Sequence, residues 1–270
     1  MIDVFDFHAG SSPLLVSIPH DGRLLAPGQA ERMTEAGRAL PDTDWHVREL
    51  YSFATEMGAS VITANFSRYV VDLNRPSSDE ALYENQLASG VCPRQTFAGQ
   101  DIYLDGASID RDEHESRISA YWQPYHDKIA ETLEKIGRRN GYALLWDAHS
   151  IASVVPSLFD GRLPDLNIGT NGDLSCAADI TASVSAAADA SPYSWVANGR
   201  FRGGFITRNY GAPDERIHAM QLELTQRNYM DEENPGYDAG RAARLVDVIK
   251  NMLQAFQDAA NGNSRAGGNA

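Results

Sequence analysis

The seven residues Leu144-Leu145-Trp146-Asp147-Ala148-His149-Ser150 decide how this 270-residue chain is read. From Ala143 to Trp146 every side chain is apolar, the composition of a strand covered on both faces in a parallel sheet. The polarity then changes within one residue. The strand is expected to end there, delivering an acid, an imidazole and a hydroxyl to the crevice beyond the carboxyl ends of strands, where open α/β sheets hold ligands. Asp147 stands close enough to orient the His149 ring. A capping serine and a hydrogen-bonded loop histidine would leave the same letters, so the rest of the chain has to discriminate.

Leu14-Leu15-Val16-Ser17-Ile18-Pro19-His20-Asp21-Gly22 repeats the pattern: an apolar run, a histidine, and a turn in which Gly22 is expected to take a positive φ. Parallel neighbours would bring His20 and His149 to one crevice. His218 to Thr225 alternates with period two, with Met220, Leu222 and Leu224 on one face and Gln221, Glu223 and Thr225 on the other. A glutamate in such a strand is costly unless paired or functional, and partial burial raises its pKa toward the range of a general base. Ala59 to Phe66 and Leu166 to Ile168 complete the expected strands.

Helices are expected over Val47 to Ala54, capped by Asp42 or Thr43, over Ile109 to Arg139 with a junction at Pro124, over the Ala-rich Ser175 to Ala188, and over Tyr237 to Gln257. Gly141 closes the second of these. His114 and His126 lie on its apolar stripe and read as packing residues. Residues 77–109 form an excursion that could serve as a lid, and residues from 260 onward are Gly/Asn-rich and expected to be irregular. No repeat or linker interrupts the chain. The fold class is therefore α/β: one domain over residues 1–260 with a mixed, mostly parallel central sheet flanked by helices.

Composition excludes several functions. With 37 acidic against 23 basic side chains, a formal charge of −14, the chain is a poor partner for nucleic acid, whose binding rests on cationic contacts to phosphate. No apolar run approaches the ~18 residues a membrane span needs. Two cysteines, Cys92 and Cys176, and an acidic N-terminus fit a cytoplasmic chain. An anionic small-molecule substrate would have to be met by locally gathered arginines. Arg75 follows Asn74 before Pro76, a place where a guanidinium fork can grip a carboxylate. Arg200, Arg202 and Arg208 cluster around the pair Gly203-Gly204.

Two histidines, one carboxylate from Asp42 or Asp44, and an open position suit a catalytic zinc. A nearby Glu223 could take the proton of an activated water. No His-x-x-x-His spacing is present, so the chemistry rests on the ensemble.

Six ordered blocks carry a resemblance along nearly the whole chain: Val16 to Gly22, Pro41 to His46, Ser67 to Pro76, Trp146 to Ser150, Gly199 to Gly204 and Gln221 to Leu224. In these the chain resembles the N-formylglutamate amidohydrolases of histidine degradation, a family similar in fold to zinc carboxypeptidases and aspartoacylase-like deacylases. The resemblance implies His20 and His149 as zinc ligands, Glu223 as base, and Asn74 and Arg75 as a grip on the substrate carboxylate, with Arg202 or Arg208 receiving the other. The related deacylases place a second ligand, a Glu, three residues after the first histidine. Here that position is Arg23, and Asp44 is expected to supply the ligand, with Asp42 as substitute. A deacylase of different acyl preference and a metal-free amino-acid-binding protein are the alternative readings.

Overall fold

The computed structural model describes the backbone of residues 2–80 and 90–266, with side chains as far as residue 262. Seven strands form one sheet: β1 (Phe5–His8), β2 (Leu14–Ile18), β3 (Ser60–Ala64), β4 (Ala143–Ile151), β5 (Leu166–Gly169), β6 (Trp195–Ala197) and β7 (Ile217–Thr225), in the order β1-β3-β2-β4-β7-β5-β6. The β3-β2-β4-β7 core is parallel. β1 joins β3 antiparallel, and β5 joins β7 antiparallel. The expected mixed, mostly parallel sheet flanked by helices is what the chain forms.

Period two sorts the core. Even positions, Leu14, Val16, Leu144, Trp146, Met220, Leu222 and Leu224, face one layer, which contains Ile180 and Val184 of α5 (Ala178–Asp189) and Leu245, Ile249 and Phe256 of α7 (Ala239–Ala266). Odd positions, Leu15, Ala143, Leu145 and Ala219, together with Ile62 of β3, where the register reverses the parity, pack with Tyr125, Ile129, Leu133 and Ile136 of α4 (Gln123–Asn140). Two short helices, α1 (Glu35–Arg38) and α2 (Val47–Leu50), lie in the β2–β3 connection. A further helix, α3 (Arg111–Arg117), runs through a π-helical turn at Ile118–Trp122 into α4, so the junction expected at Pro124 is a π-turn just ahead of it. Gly141 ends α4 at φ 78°, and α6 (Phe205–Tyr210) follows the glycine pair.

Several boundaries differ from the sequence reading. β4 does not stop at Trp146; it continues to Ile151, because its polar residues are also buried and stay in the ladder with β7. Gly22 does not have a positive φ. A Cβ there would lie 2.3 Å from the Phe66 carbonyl oxygen, so glycine is required by backbone contact. Asp42 and Thr43 do not cap α2, whose N-cap is His46 in the left-handed region at φ 62°. Residues 69–76 form turns, so Asn74 and Arg75 lie in a loop. α7 continues through the expected irregular tail to Ala266, with Ala260 buried against the core, and residues 267–270 lie outside the described residues. Of the excursion at 77–109, residues 81–89 lie outside the described residues. The rest makes isolated bridges such as Gln95 with Asp101 and no strand. No helix among the described residues is long and apolar enough to cross a membrane.

His126 confirms its packing role and yields a stability prediction. Its ring stacks on Trp122 at 3.8 Å, with Nε2 2.9 Å from the Leu73 carbonyl oxygen and Nδ1 3.0 Å from the Tyr210 hydroxyl. Burial lowers its pKa to about 4. Below pH ~6.5 the unfolded chain takes up a proton that the native ring refuses, so this contribution is complete above pH 6.5 and is lost as pH falls toward 4, at up to about 1.4 kcal/mol per pH unit. Denaturant unfolding of His126→Gln between pH 7 and 4 should show a correspondingly shallower acid branch.

Candidate active site

The odd face of the sheet is divided across its middle. Toward the strand N-termini it is apolar beneath α4. Toward the C-termini it becomes Ser17, Asp147, His149, Gln221 and Glu223, all buried. The register aligns these residues in rungs: Ser17 opposite Asp147, Asp147 opposite Gln221, and His149 opposite Glu223. Of these, His149, Gln221 and Glu223 floor a cavity of about 780 Å³ whose lining also includes His20, Asp44, Arg68 and Asp72.

His20 sits two residues beyond β2. The Asp44 N–H donates to the His20 carbonyl at 3.1 Å, which folds the β2–β3 connection back onto the strand end. His20, Asp44 and His149 thus come together, with one ligand atom from each within 4.8 Å of the others. Asp44 Oδ2 lies 3.0 Å from His149 Nδ1 and 3.7 Å from His20 Nδ1. The opposite nitrogens are held by carboxylates: His20 Nε2 is 2.8 Å from Asp72 Oδ1, and His149 Nε2 is 2.9 Å from Asp147 Oδ2. With each Nε2 backed by a carboxylate, both Nδ1 atoms are turned toward Asp44, the arrangement carboxylate-backed histidines adopt around a metal. Asp42 is engaged elsewhere, accepting from the Tyr69 hydroxyl at 2.6 Å and the Phe97 N–H at 2.8 Å.

The group fits a divalent cation on two counts. His20 Nδ1 is buried with no hydrogen-bond partner, an orphan that folded proteins rarely tolerate without a reason. The carboxylates Asp44, Asp72, Asp147 and Glu223 are all buried here, with the half-buried Arg68 guanidinium beside Asp72 and Asp44. Burial pulls the His149 pKa down, but Asp147 and Asp44 beside it drive it well above the ordinary imidazole value. Burial likewise opposes ionisation of Asp44, yet the two histidines hold its pKa below the usual carboxylate range. Two nitrogens and one oxygen donor with a cavity on the open side match a catalytic zinc site.

Glu223 carries the opposite signature. Burial, the largest influence, pushes its pKa up to about 8, as suits a group that accepts and returns a proton near neutrality. Gln221 Nε2 donates to its Oε2 at 3.1 Å.

Other sequence candidates fall differently. Asn74 is committed on both ends: Oδ1 accepts from the Ile206 N–H at 2.8 Å, and Nδ2 donates to Asp147 Oδ2 at 3.1 Å. These bonds make it a brace behind His149, and Asn74 also lines the cavity. Arg75 lines the cavity, as do Arg94 and Arg200, whereas Arg202 and Arg208 are not part of the lining. Arg208 donates Nε–H to the Gly203 carbonyl at 2.7 Å. The residues sequence reasoning missed are Asp72 and Arg68. Arg68 reaches Asp72 Oδ2 at 3.0 Å and lies 4.9 Å over the Phe97 ring. Their i, i+4 spacing is the available signal.

A cleft at the carboxyl ends of parallel strands, with a carboxylate-backed His-Asp-His group facing a buried glutamate, defines an enzyme able to combine cation binding with general base chemistry. Residues 12–230 match the family model described as N-formylglutamate amidohydrolase. The chain belongs to the N-formylglutamate amidohydrolase family. Among its relatives, the N-formylglutamate deformylase of Pseudomonas aeruginosa is 49% identical over 258 residues, covering 95% of this chain and 97% of that protein. The N-formylglutamate deformylase of Pseudomonas putida is 44% identical, covering 95% and 96%. The crystal structure of N-formylglutamate amidohydrolase from Ralstonia eutropha superposes with a TM-score of 0.83 at 22% identity, covering 97% of this chain and all of that one, which shows the shared fold.

Proposed function

We propose that the chain hydrolyses N-formyl-L-glutamate to formate and L-glutamate with a divalent cation, zinc by its donor set, held by His20 Nδ1, His149 Nδ1 and Asp44. The observation that supports this most directly is the buried His-Asp-His group with Glu223 directly opposite His149 on the β4–β7 ladder. When bound, such an ion acidifies a water and polarises the formyl carbonyl. The chain's own residues supply the rest. Asp72 and Asp147 hold the two imidazoles in the tautomer that presents Nδ1. Glu223 removes a proton from the attacking water as the new C–O bond forms at the formyl carbon. It then gives that proton to the departing nitrogen as the C–N bond breaks, so formate and the free amine leave together. Arg75, Arg94 and Arg200 line the cavity and receive the substrate's two carboxylates. Within a −14 chain, that grouping supplies the local guanidinium partners that the substrate's carboxylates need.

We further propose this reaction as the last step of a histidine-degradation route, in keeping with the resemblance, and two free, buried cysteines suit the reducing cytoplasm. The test is metal analysis of the purified protein together with formate release from N-formyl-L-glutamate, with and without chelator. About one zinc per chain and chelator-sensitive release are expected for a single His-Asp-His site. Bound metal with release only from other N-acyl amino acids would move the substrate, and turnover unaffected by complete metal removal would overturn the proposal.

A further inference from the structure

We infer that Gln221 is the positioning residue for the Glu223 carboxylate, set in place by the backbone of Gly204. This rests on the reading of Glu223 as general base and adds a second residue to that function. Gln221 is 4% exposed and lies two positions before Glu223 on the same strand, so both side chains project from the cavity face. Its amide bridges two fixed points. The Gly204 N–H donates to Oε1 at 2.7 Å, and Nε2 donates to Glu223 Oε2 at 3.1 Å. The Gly204 N–H decides the orientation: a reversed amide would set donor against donor at Gly204 and acceptor against acceptor at Glu223. One carboxylate oxygen is thereby anchored, and Oε1, to which no described residue donates, is left to handle the proton.

The anchor is built for this approach. A Cβ at position 204 would lie 2.4 Å from Asn74 Nδ2, so only glycine brings this backbone to Gln221. Two residues on, the Ile206 N–H holds Asn74 Oδ1, and Asn74 in turn holds Asp147 behind His149. One turn of chain, residues 204–206, therefore sets both the base and the back of one histidine. The basic loop singled out in the sequence has a use distinct from its arginines.

The test is Gln221→Met, which keeps length and loses both hydrogen bonds, with Gln221→Leu as a second variant, each alone and combined with Glu223→Gln. For each protein kcat, KM, metal content and Tm are measured. The single variants should lose about 10- to 100-fold in kcat, the effect typical of removing a supporting hydrogen bond behind a catalytic group. KM should stay within about twofold and metal content unchanged. In the Glu223→Gln background the same substitutions should alter the residual rate by less than about twofold, because the group they position is already gone. A rise in KM at unchanged kcat would make Gln221 a substrate contact. An equal loss in both backgrounds, or failure of both variants to fold, would make it structural. Either result overturns the inference. Full activity of Gln221→Met beside an inactive Glu223→Gln removes this inference alone, whereas full activity of Glu223→Gln overturns the base assignment itself.

Discussion

Glu223→Gln should lower kcat for formate release by about 10²- to 10⁴-fold, the range general base catalysis supplies. The substitution preserves shape and the Gln221 Nε2 contact, so the fold and the His-Asp-His group should be untouched and the loss should fall on the chemical step. The direction of the pH dependence follows from the role. A base works ionised, so the wild-type rate declines as pH drops through the carboxylate's pKa. Burial sets that pKa at about 8 in the cation-free chain, and a bound cation would lower it. The residual rate of the variant should lack that acid limb altogether. Steady-state kinetics from pH 5 to 9 on both proteins make the comparison. A variant that keeps the wild-type limb would assign it to another group and remove Glu223 from the reaction.

Asp44→Asn should abolish metal retention. Oδ2 alone lies 3.0 Å from His149 Nδ1, 3.7 Å from His20 Nδ1 and 3.1 Å from the Ser150 N–H that donates to it. An asparagine can keep the last contact but presents no charge to a cation. Affinity should fall by more than the ~10- to 100-fold associated with partners behind the ligands. The loss is readable without turnover. An ion that binds only the native chain stabilises it by about 2.7 kcal/mol at 100 times its Kd. Added zinc should therefore raise the Tm of the chelator-stripped wild type and leave that of Asp44→Asn unmoved. Asp42 is not expected to substitute, since its carboxylate is held by Tyr69 and Phe97. Stoichiometric zinc in Asp44→Asn would count against the ligand set.

The sheet was legible because its apolar runs are short, uncharged and sorted by period two. Leu14 to Ile18, Ala143 to Trp146 and the even positions of β7 could be read as core from composition alone. The two histidines were legible as strand-end residues, and the choice between Asp42 and Asp44 was not. Both acids precede the same helical turn, and only the backbone bond from Asp44 to His20 determines which one faces inward. The continuation of β4 through Asp147 and His149 was hidden for the same reason the site exists: polar residues inside a sheet look like a strand end until their partners are known. Arg202 and Arg208 were attractive by spacing, yet Arg75, Arg94 and Arg200 line the cavity, because the turn after Gly203 directs backbone N–H groups, not guanidinium groups, at the centre. Asp72 escaped notice because its partners, His20 and Arg68, come from an adjoining strand end and from one helical pitch back along an irregular segment.

The pairing of His149 with Glu223 as direct neighbours on the β4–β7 ladder has an evolutionary consequence. Their separation is set by the strand spacing of a sheet, about 4.8 Å, and owes nothing to loop length. The walls that meet the rest of a substrate come from elsewhere: Arg94 and Phe97 from one connection, Leu158 from a second, and Arg200 from a third. Insertions or exchanges in those connections can reshape what is accepted while leaving the distance between the two reacting sides fixed. A scaffold divided in this way can drift in selectivity without passing through inactive intermediates.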